Sequence, residues 1–219
     1  MQFPRRALVV GFAFTILAVV GTRCALAAST AVASDRDMAA LATKPVSLPD
    51  MALGSLTAPI TIVEYSSLTC PHCADFAENV FPMLRAKYID TGKVRFVSRE
   101  FPLDVKAAAA SMLARCAAGG DASKFFEVTM MLFKQQQDLV EHTTGTLTAI
   151  GAKFGMAEPE VEKCVKSDTA LDKLQADQTF AYNQLKVGAT PTFFINGEKV
   201  TGSMSFEALE AKLLPLLKQ

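Results

Sequence analysis

The stretch LTCPHCADFAENVF, residues 68–81, places two cysteines three positions apart where the sequence pattern changes from strand to helix. Before it, the β-branched run ITIVEYSS, residues 60–67, is typical of a buried strand. After it, apolar residues recur at steps of three and four, which predicts a helix with one face toward a core. Pro71 fits the first position of that helix, where its missing N–H costs nothing. Cys70 is therefore expected at the junction, and Cys73 one turn into the helix.

This placement of the two cysteines predicts redox chemistry. The Cys70 sulfur would meet the unpaired N–H groups and the positive dipole end of the helix, and both favour the thiolate. A protonated His72 would add a nearby donor with the same effect. Cys73 would lie on the apolar side of the helix as the sheltered, resolving partner. An accessible sulfur of low pKa beside a resolving sulfur is the arrangement that thiol–disulfide exchange requires.

Two other interpretations of the pair remain open, a metal half-site and a purely structural bridge. Zinc needs four ligands. The pair supplies two, so Cys116 and Cys164 would have to fold over the site to supply the others. A structural bridge within CPHC would close a very small ring. The sequence therefore favours the redox couple, with no metal and no other cofactor.

The N-terminus predicts export. Arg5 and Arg6 precede a 15-residue apolar run, residues 7–21, and Ala25-Leu26-Ala27 offers small residues at the positions that a signal peptidase inspects. We therefore expect a signal peptide over residues 1–27 and a periplasmic location. A retained membrane anchor is the alternative, although the run is shorter than the roughly 20 residues of a spanning helix.

The composition fits one domain with an elaboration in an oxidising compartment. The chain has 219 residues, half of them hydrophobic, which is ample for a sizeable core. Its 22 basic and 22 acidic residues balance, so nothing points to nucleic acid as a partner. Cleavage after residue 27 would leave 19 basic against 22 acidic residues and an even set of four cysteines. An even count in an exported protein favours disulfide chemistry.

The order of patterns along the chain predicts an α/β fold interrupted by helices. Residues 28–50 are rich in Ala, Ser, Asp and Pro without a clear period, and we interpret them as a tether. Residues 51–103 contain a strand, the CPHC helix and a second strand, a βαβ unit. Residues 104–186 contain a series of helical patterns, most of them separated by short breaks such as Gly119-Gly120. Residues 187–219 contain a β-hairpin, signalled by Asn-Gly, and a final amphipathic helix.

IVEYSSLTCPHC (62–73) together with GATPTFFING (188–197) resembles the DsbA group of the thioredoxin superfamily, which are exported thiol–disulfide oxidoreductases. The resemblance covers roughly residues 50–219 and implies a thioredoxin fold with an inserted all-helical domain. It assigns Cys70 as the nucleophile and Cys73 as the resolving cysteine. It also implies that Pro71 and a cis-proline loop, Thr190-Pro191, contact the substrate.

The resemblance gives a role to Glu64 as well. An acidic strand residue at this position lies beneath the active site in the family and assists proton transfer. From the pattern alone, Glu64 would be a polar residue facing the surface. Arg95 and Arg99 are the candidates for its basic partner.

By resemblance, the protein introduces disulfide bonds into unfolded or reduced exported polypeptides as a monomer and is reoxidised by a quinone-linked membrane partner of the DsbB type. Thr190, however, stands where the best-known members carry valine, and threonine is familiar there in the related isomerases. An isomerase or reductase of the same superfamily is therefore one alternative. A non-catalytic module for binding or metal delivery is another.

Cys116 and Cys164 are predicted to form a structural disulfide across the helical region. They are the cysteines that remain outside the motif after cleavage, and each aligns with the apolar stripe of its own helix, beside Met112 and Leu113 or beside Val161. We therefore expect both to point inward. Two buried thiols acting as small hydrophobic residues are the alternative.

Overall fold

The computed structural model describes Lys44 and residues 47–218, which form a five-stranded mixed sheet flanked by helices. The strands are β1 Met51–Leu53, β2 Ile60–Ser66, β3 Val94–Glu100, β4 Thr192–Ile195 and β5 Glu198–Thr201. Their order in the sheet is β1-β3-β2-β4-β5. β2 and β3 are parallel, and every other neighbouring pair is antiparallel.

The long helix α1 joins β2 to β3 and spans residues 71–89. Two of its segments, Pro71–Asp75 and Phe81–Leu84, are α-helical, and each is followed by a wider π-helical segment, Phe76–Val80 and then Arg85–Ile89. The first π segment ends just before Pro82. A proline ring clashes with the carbonyl one turn earlier in a regular α-helix, so the wider turn gives it room.

Six helices lie between β3 and β4, and one follows β5. They are α2 Val105–Ala118, α3 Ala122–Lys134, α4 Gln136–Glu141, α5 Thr143–Lys153, α6 Glu158–Val165, α7 Asp168–Gln184 and α8 Phe206–Leu216. The predicted order of a βαβ unit, a helical insertion, a β-hairpin and a last helix is confirmed. Among the residues that the structure describes, no helix is both long enough and apolar enough to cross a membrane. The predicted signal peptide lies outside them.

Two apolar cores pack on opposite faces of the sheet. The larger one lies under α1 and part of the insertion, and aromatic rings join its elements, with centroids 4.7 Å apart for Phe76 and Phe193 and 5.6 Å apart for Phe81 and Phe126. The smaller one joins the other face of the sheet to the end of α7 through Ala181. Because Phe76 follows Cys73 by one turn and Phe193 lies at the start of β4, the larger core fixes the CPHC helix beside the Thr190-Pro191 loop.

β1 was not predicted from the sequence. This strand has three residues, too few for a period of two to be visible, and it pairs antiparallel with β3. The residues just before it, the end of the predicted tether, are also held in place. The N–H groups of Ser47 and Leu48 donate to the carboxylate of Asp177, and Arg99 pairs with Asp50 at 2.9 Å.

A disulfide joins Cys116 on α2 to Cys164 on α6, with their Cα atoms 6.1 Å apart. The expectation that both cysteines point inward is wrong, because Cys116 is exposed and Cys164 is half-buried. The face of α2 that packs into the core is a stripe that includes Ala110, Leu113 and Ala114. Cys116 lies beside that stripe, toward α6.

Replacing both Cys116 and Cys164 by alanine should lower the free energy of unfolding by about 4 kcal/mol, because the bridge restricts a long loop of the unfolded chain. Urea unfolding followed by circular dichroism measures this difference. A strong reductant supplies the control, since the wild-type protein and the double variant should have the same stability when both are unfolded in its presence. Equal stability of the two proteins without reductant would contradict the prediction.

Candidate active site

Cys70 is the N-cap residue of α1. Its backbone is extended, with φ −85° and ψ 119°, and its carbonyl accepts the N–H groups of Cys73 and Ala74, each at 3.1 Å. This conformation directs the main-chain N–H groups of His72 and Cys73 toward the Cys70 sulfur. The strand-to-helix junction predicted from the sequence therefore builds a small pocket of donors for a negatively charged sulfur.

The Thr190-Pro191 loop completes this pocket from β4. Its peptide bond is cis, and the Cys70 thiol donates to the Thr190 carbonyl oxygen at 3.3 Å. The Thr190 hydroxyl is buried and has no hydrogen-bond partner within the described part of the chain. It lies where it can donate to the Cys70 sulfur once that sulfur is ionised. Two segments 120 residues apart in sequence thus meet at one sulfur.

The two cysteines have opposite acidities. A hydrogen bond from the Cys73 thiol, more than any other contact, lowers the pKa of Cys70 to about 5, and the Thr190 hydroxyl and the main-chain N–H groups add to it. The same bond, together with burial and the nearby Glu64 carboxyl, raises the pKa of Cys73. Above the pKa of Cys70, the reduced pair therefore holds one proton on Cys73 and one negative charge on Cys70, which no longer donates to the Thr190 carbonyl.

The structure differs from the expectation of an exposed Cys70. The residue is only 5% exposed, and Cys73 is fully buried. The Thr190 end of the cis-proline loop lies against the Cys70 sulfur and covers it. The side chain of His72 is exposed to solvent, so the contact that His72 makes with the sulfur in this structure comes from its main-chain N–H group.

Glu64 lies on the core face of β2 and is 7% exposed, contrary to the surface position that its polarity suggests. Burial raises the pKa of Glu64 to about 8, and the charge of Cys70 adds to the shift. A carboxyl group that titrates near neutral pH can exchange a proton at that pH. Glu64 thus lies close enough to the CPHC pair for its charge and the charge of Cys70 to influence each other, and it also raises the pKa of Cys73.

Neither arginine proposed as a partner reaches Glu64. The neighbour of Glu64 on β3 is Ser98, and strand alternation turns Arg95 and Arg99 to the opposite face. There Arg99 donates to the Tyr65 hydroxyl at 2.9 Å and pairs with Asp50. Neither arginine therefore lies beside Glu64 to lower its pKa, which agrees with the raised pKa of Glu64.

Two polar contacts at the site had no signal in the sequence. The carboxamide of Gln136, at the start of α4, donates to the carbonyl oxygens of Leu68 and Cys70, each at 3.0 Å. The hydroxyl of Thr69 donates to Asp104, the N-cap of α2, at 2.7 Å. The helical insertion thus holds the loop that carries Cys70 at two places.

The four cysteines do not form a metal site in this structure. Cys116 and Cys164 are bonded to each other, so they cannot complete a four-ligand zinc site with Cys70 and Cys73. Over residues 47–218, no group of three or more His, Cys, Asp or Glu side chains is arranged to hold a metal ion.

Comparison with known proteins gives consistent matches. Residues 47–213 match the family described as Thioredoxin. A "Putative protein-disulfide oxidoreductase" of Rickettsia felis is 36% identical over 173 residues, which cover 78% of this chain and 61% of that protein. One of Rickettsia bellii is 37% identical over 75% of this chain and 63% of its own length. The chain thus spans about three fifths of the length of these relatives.

Among solved structures, alpha-DsbA1 of Wolbachia pipientis superposes with a TM-score of 0.68 and 31% sequence identity, over 78% of this chain and 92% of that one. BdbD of Bacillus subtilis gives the same TM-score at 21% identity, over 78% of this chain and 94% of the other, and at that identity it supports the fold alone.

Glu64→Gln should change how stability depends on pH. The pKa of Glu64 is about 8 when folded, against an ordinary value of 4.5, so the cost of keeping Glu64 un-ionised in the fold is absent at low pH and grows as pH rises between those values. The stability of the variant relative to wild type should rise by up to about 1.4 kcal/mol per pH unit across this range. Urea unfolding of the reduced proteins measures it.

Glu127→Gln, which removes an exposed carboxylate on α3, is the matched control for the loss of one carboxyl group. A stability difference between Glu64→Gln and wild type that does not change with pH would contradict the raised pKa of Glu64.

Proposed function

Because the chain belongs to the DsbA-like branch of the thioredoxin superfamily, we propose that it is a thiol–disulfide oxidoreductase that transfers its Cys70–Cys73 disulfide to exported polypeptides. The observation that supports this proposal best is the unequal pair of sulfurs, with Cys70 held as a thiolate and Cys73 held as a thiol. A site that favours its reduced form tends to give its disulfide away.

The acidity of Cys70 indicates how oxidising the site is. With a pKa of about 5, ionisation at pH 7 stabilises the reduced form by about 3 kcal/mol, or roughly 60 mV for two electrons. The corresponding cysteine has a pKa of about 7 in thioredoxin and about 3.5 in DsbA, with potentials of about −270 and −120 mV. The protein should therefore be more oxidising than thioredoxin.

The positions of the groups support the following reaction. A substrate thiolate attacks Cys70 of the protein disulfide, the S–S bond breaks, and Cys73 leaves as a thiolate and takes the proton of Glu64. A second substrate thiolate then attacks the substrate sulfur of the mixed disulfide. The substrate becomes oxidised, and Cys70 is released as the stabilised thiolate. Thr190 and Pro191, with Pro71 across the site, would orient the substrate backbone.

The remaining parts of the proposal concern location and reoxidation. Unfolded or reduced exported proteins are the substrates, in the periplasm, after export by the signal in residues 1–27. A quinone-linked membrane partner of the DsbB type would restore the disulfide. These assignments rest on the family and on the sequence of the N-terminus.

Thr190 supports a second candidate, a disulfide isomerase or reductase. Its hydroxyl faces the Cys70 sulfur, and by resemblance threonine is familiar at this position in the related isomerases. An isomerase acts from the reduced state, whereas an oxidase is kept oxidised. The redox state of the Cys70–Cys73 pair in cells, trapped by acid and alkylated with a mass tag, therefore distinguishes the two.

The oxidised protein should convert a reduced peptide with two cysteines to its disulfide form, as followed by mass spectrometry. Cys73→Ser should instead accumulate a mixed disulfide between the peptide and Cys70. For this test the peptide is supplied as an activated disulfide, which the Cys70 thiolate can attack. The Cys116→Ala/Cys164→Ala variant should oxidise the peptide as the wild type does. The proposal would be contradicted if wild-type protein with a Cys70–Cys73 disulfide formed beforehand failed to oxidise the peptide.

The Cys70 thiolate should titrate near pH 5 when its ultraviolet absorbance is followed against pH. The reduced protein should also gain stability relative to the oxidised protein as pH rises above that value, because the thiol in the unfolded chain ionises only near pH 8.5. Cys70→Ser serves as the control, since it should remove the titration. A Cys70 pKa above about 7 would contradict a strongly oxidising site.

A further inference from the structure

The side chain of Gln136 connects the helical insertion to the loop that carries the nucleophile. Its Nε2 atom lies 3.0 Å from the carbonyl oxygen of Leu68 and 3.0 Å from that of Cys70, which are 68 and 66 residues earlier in the chain. Both partners are acceptors, so the –NH₂ end of the carboxamide has to face them. The orientation of the amide is therefore fixed by its partners.

These two bonds act on the electrostatics of the active site. The carbonyl oxygens of Leu68 and Cys70 carry partial negative charge in the loop that bears the sulfur, and negative charge nearby disfavours a thiolate. A donor hydrogen-bonded to both oxygens offsets that charge. The bonds also hold the loop on each side of Thr69, whose hydroxyl is tied to Asp104. The loop is thus kept in the conformation in which the main-chain N–H groups of His72 and Cys73 point at the Cys70 sulfur.

We propose that Gln136 is a positioning residue through which the helical insertion holds the Cys70 loop and favours its thiolate, and so sets the oxidising strength of the site. The proposal deepens the proposed function and rests on it only for the role of the Cys70 thiolate. Gln136 does not touch the reacting sulfur; it acts through the carbonyl groups of the loop.

The neighbours of Gln136 show that this contact is separable from the folding of α4. Leu139, fully buried, packs α4 into the core, and Gln136 itself is only half-buried. Gln137, the next residue, bonds Glu141 at the surface at 3.1 Å and faces away from the site. The run of glutamines therefore contains its own matched control.

The experiment compares Gln136→Leu with Gln137→Leu. Each change removes a carboxamide from the same helix and leaves a side chain of similar size. Gln136→Leu should raise the measured pKa of Cys70 and shift the redox equilibrium with glutathione about tenfold toward the oxidised protein, equivalent to about 30 mV. Gln137→Leu should leave both quantities at their wild-type values.

Gln136→Glu tests the sign of the effect. Above the pKa of the new carboxylate, it would place negative charge where the wild type has a donor, so the Cys70 pKa should rise further than in Gln136→Leu. Gln136→Ala is the second neutral variant if the leucine variant does not fold, and thermal unfolding of each protein checks this.

An unchanged Cys70 pKa and equilibrium in a folded Gln136→Leu or Gln136→Ala protein would overturn the proposal, as would an equal shift in Gln137→Leu. The proposed function would be contradicted by a different result, namely an ordinary Cys70 pKa in the wild-type protein. The difference between wild type and variant remains measurable in that case.

Discussion

The site depends on one proton that two adjacent sulfurs share unequally. The Cys73 thiol donates to the Cys70 sulfur, which makes one cysteine more acidic and the other less. The surroundings reinforce this asymmetry. Main-chain N–H groups and the Thr190 hydroxyl lie on the side of Cys70, whereas Cys73 is fully buried and lies near the carboxyl group of Glu64. Without the donors around Cys70, or without the burial of Cys73, the two thiols would be closer in acidity.

The groups around this pair come from parts of the chain that only the fold brings together. The antiparallel register of β2 and β4 sets Tyr65 beside Thr192, so the loop before β4 ends next to Cys70. The contact between the tilted rings of Phe76 and Phe193 keeps the helix and that strand together. The helical insertion contributes from the other side, through Asp104 and Gln136. The insertion therefore contacts the loop that carries Cys70, although both cysteines of the CPHC pair lie outside it.

The sequence was sufficient for the order of elements, because the CPHC helix and the Asn-Gly hairpin carry local patterns. It was insufficient where the outcome depends on pairing between distant segments. Arg99 and Glu64 lie on opposite faces of the sheet because the strand register places Ser98 beside Glu64. The burial of Cys70 follows from the approach of the Thr190 loop. Gln136 lies in a polar run with no apolar period, so nothing in its pattern distinguished it from a surface residue.

The contacts before β1 have a practical consequence for how the protein can be shortened. Asp50 pairs with Arg99, whose side chain is only 10% exposed, and the Pro49 carbonyl accepts a hydrogen bond from Arg115 at 2.9 Å. A truncated chain that begins at Met51 would leave the Arg99 guanidinium nearly buried without its carboxylate, at a cost on the order of 3 kcal/mol. Residues 47–50 are thus a part of the folded unit, and an affinity tag or fusion partner belongs before Ser47.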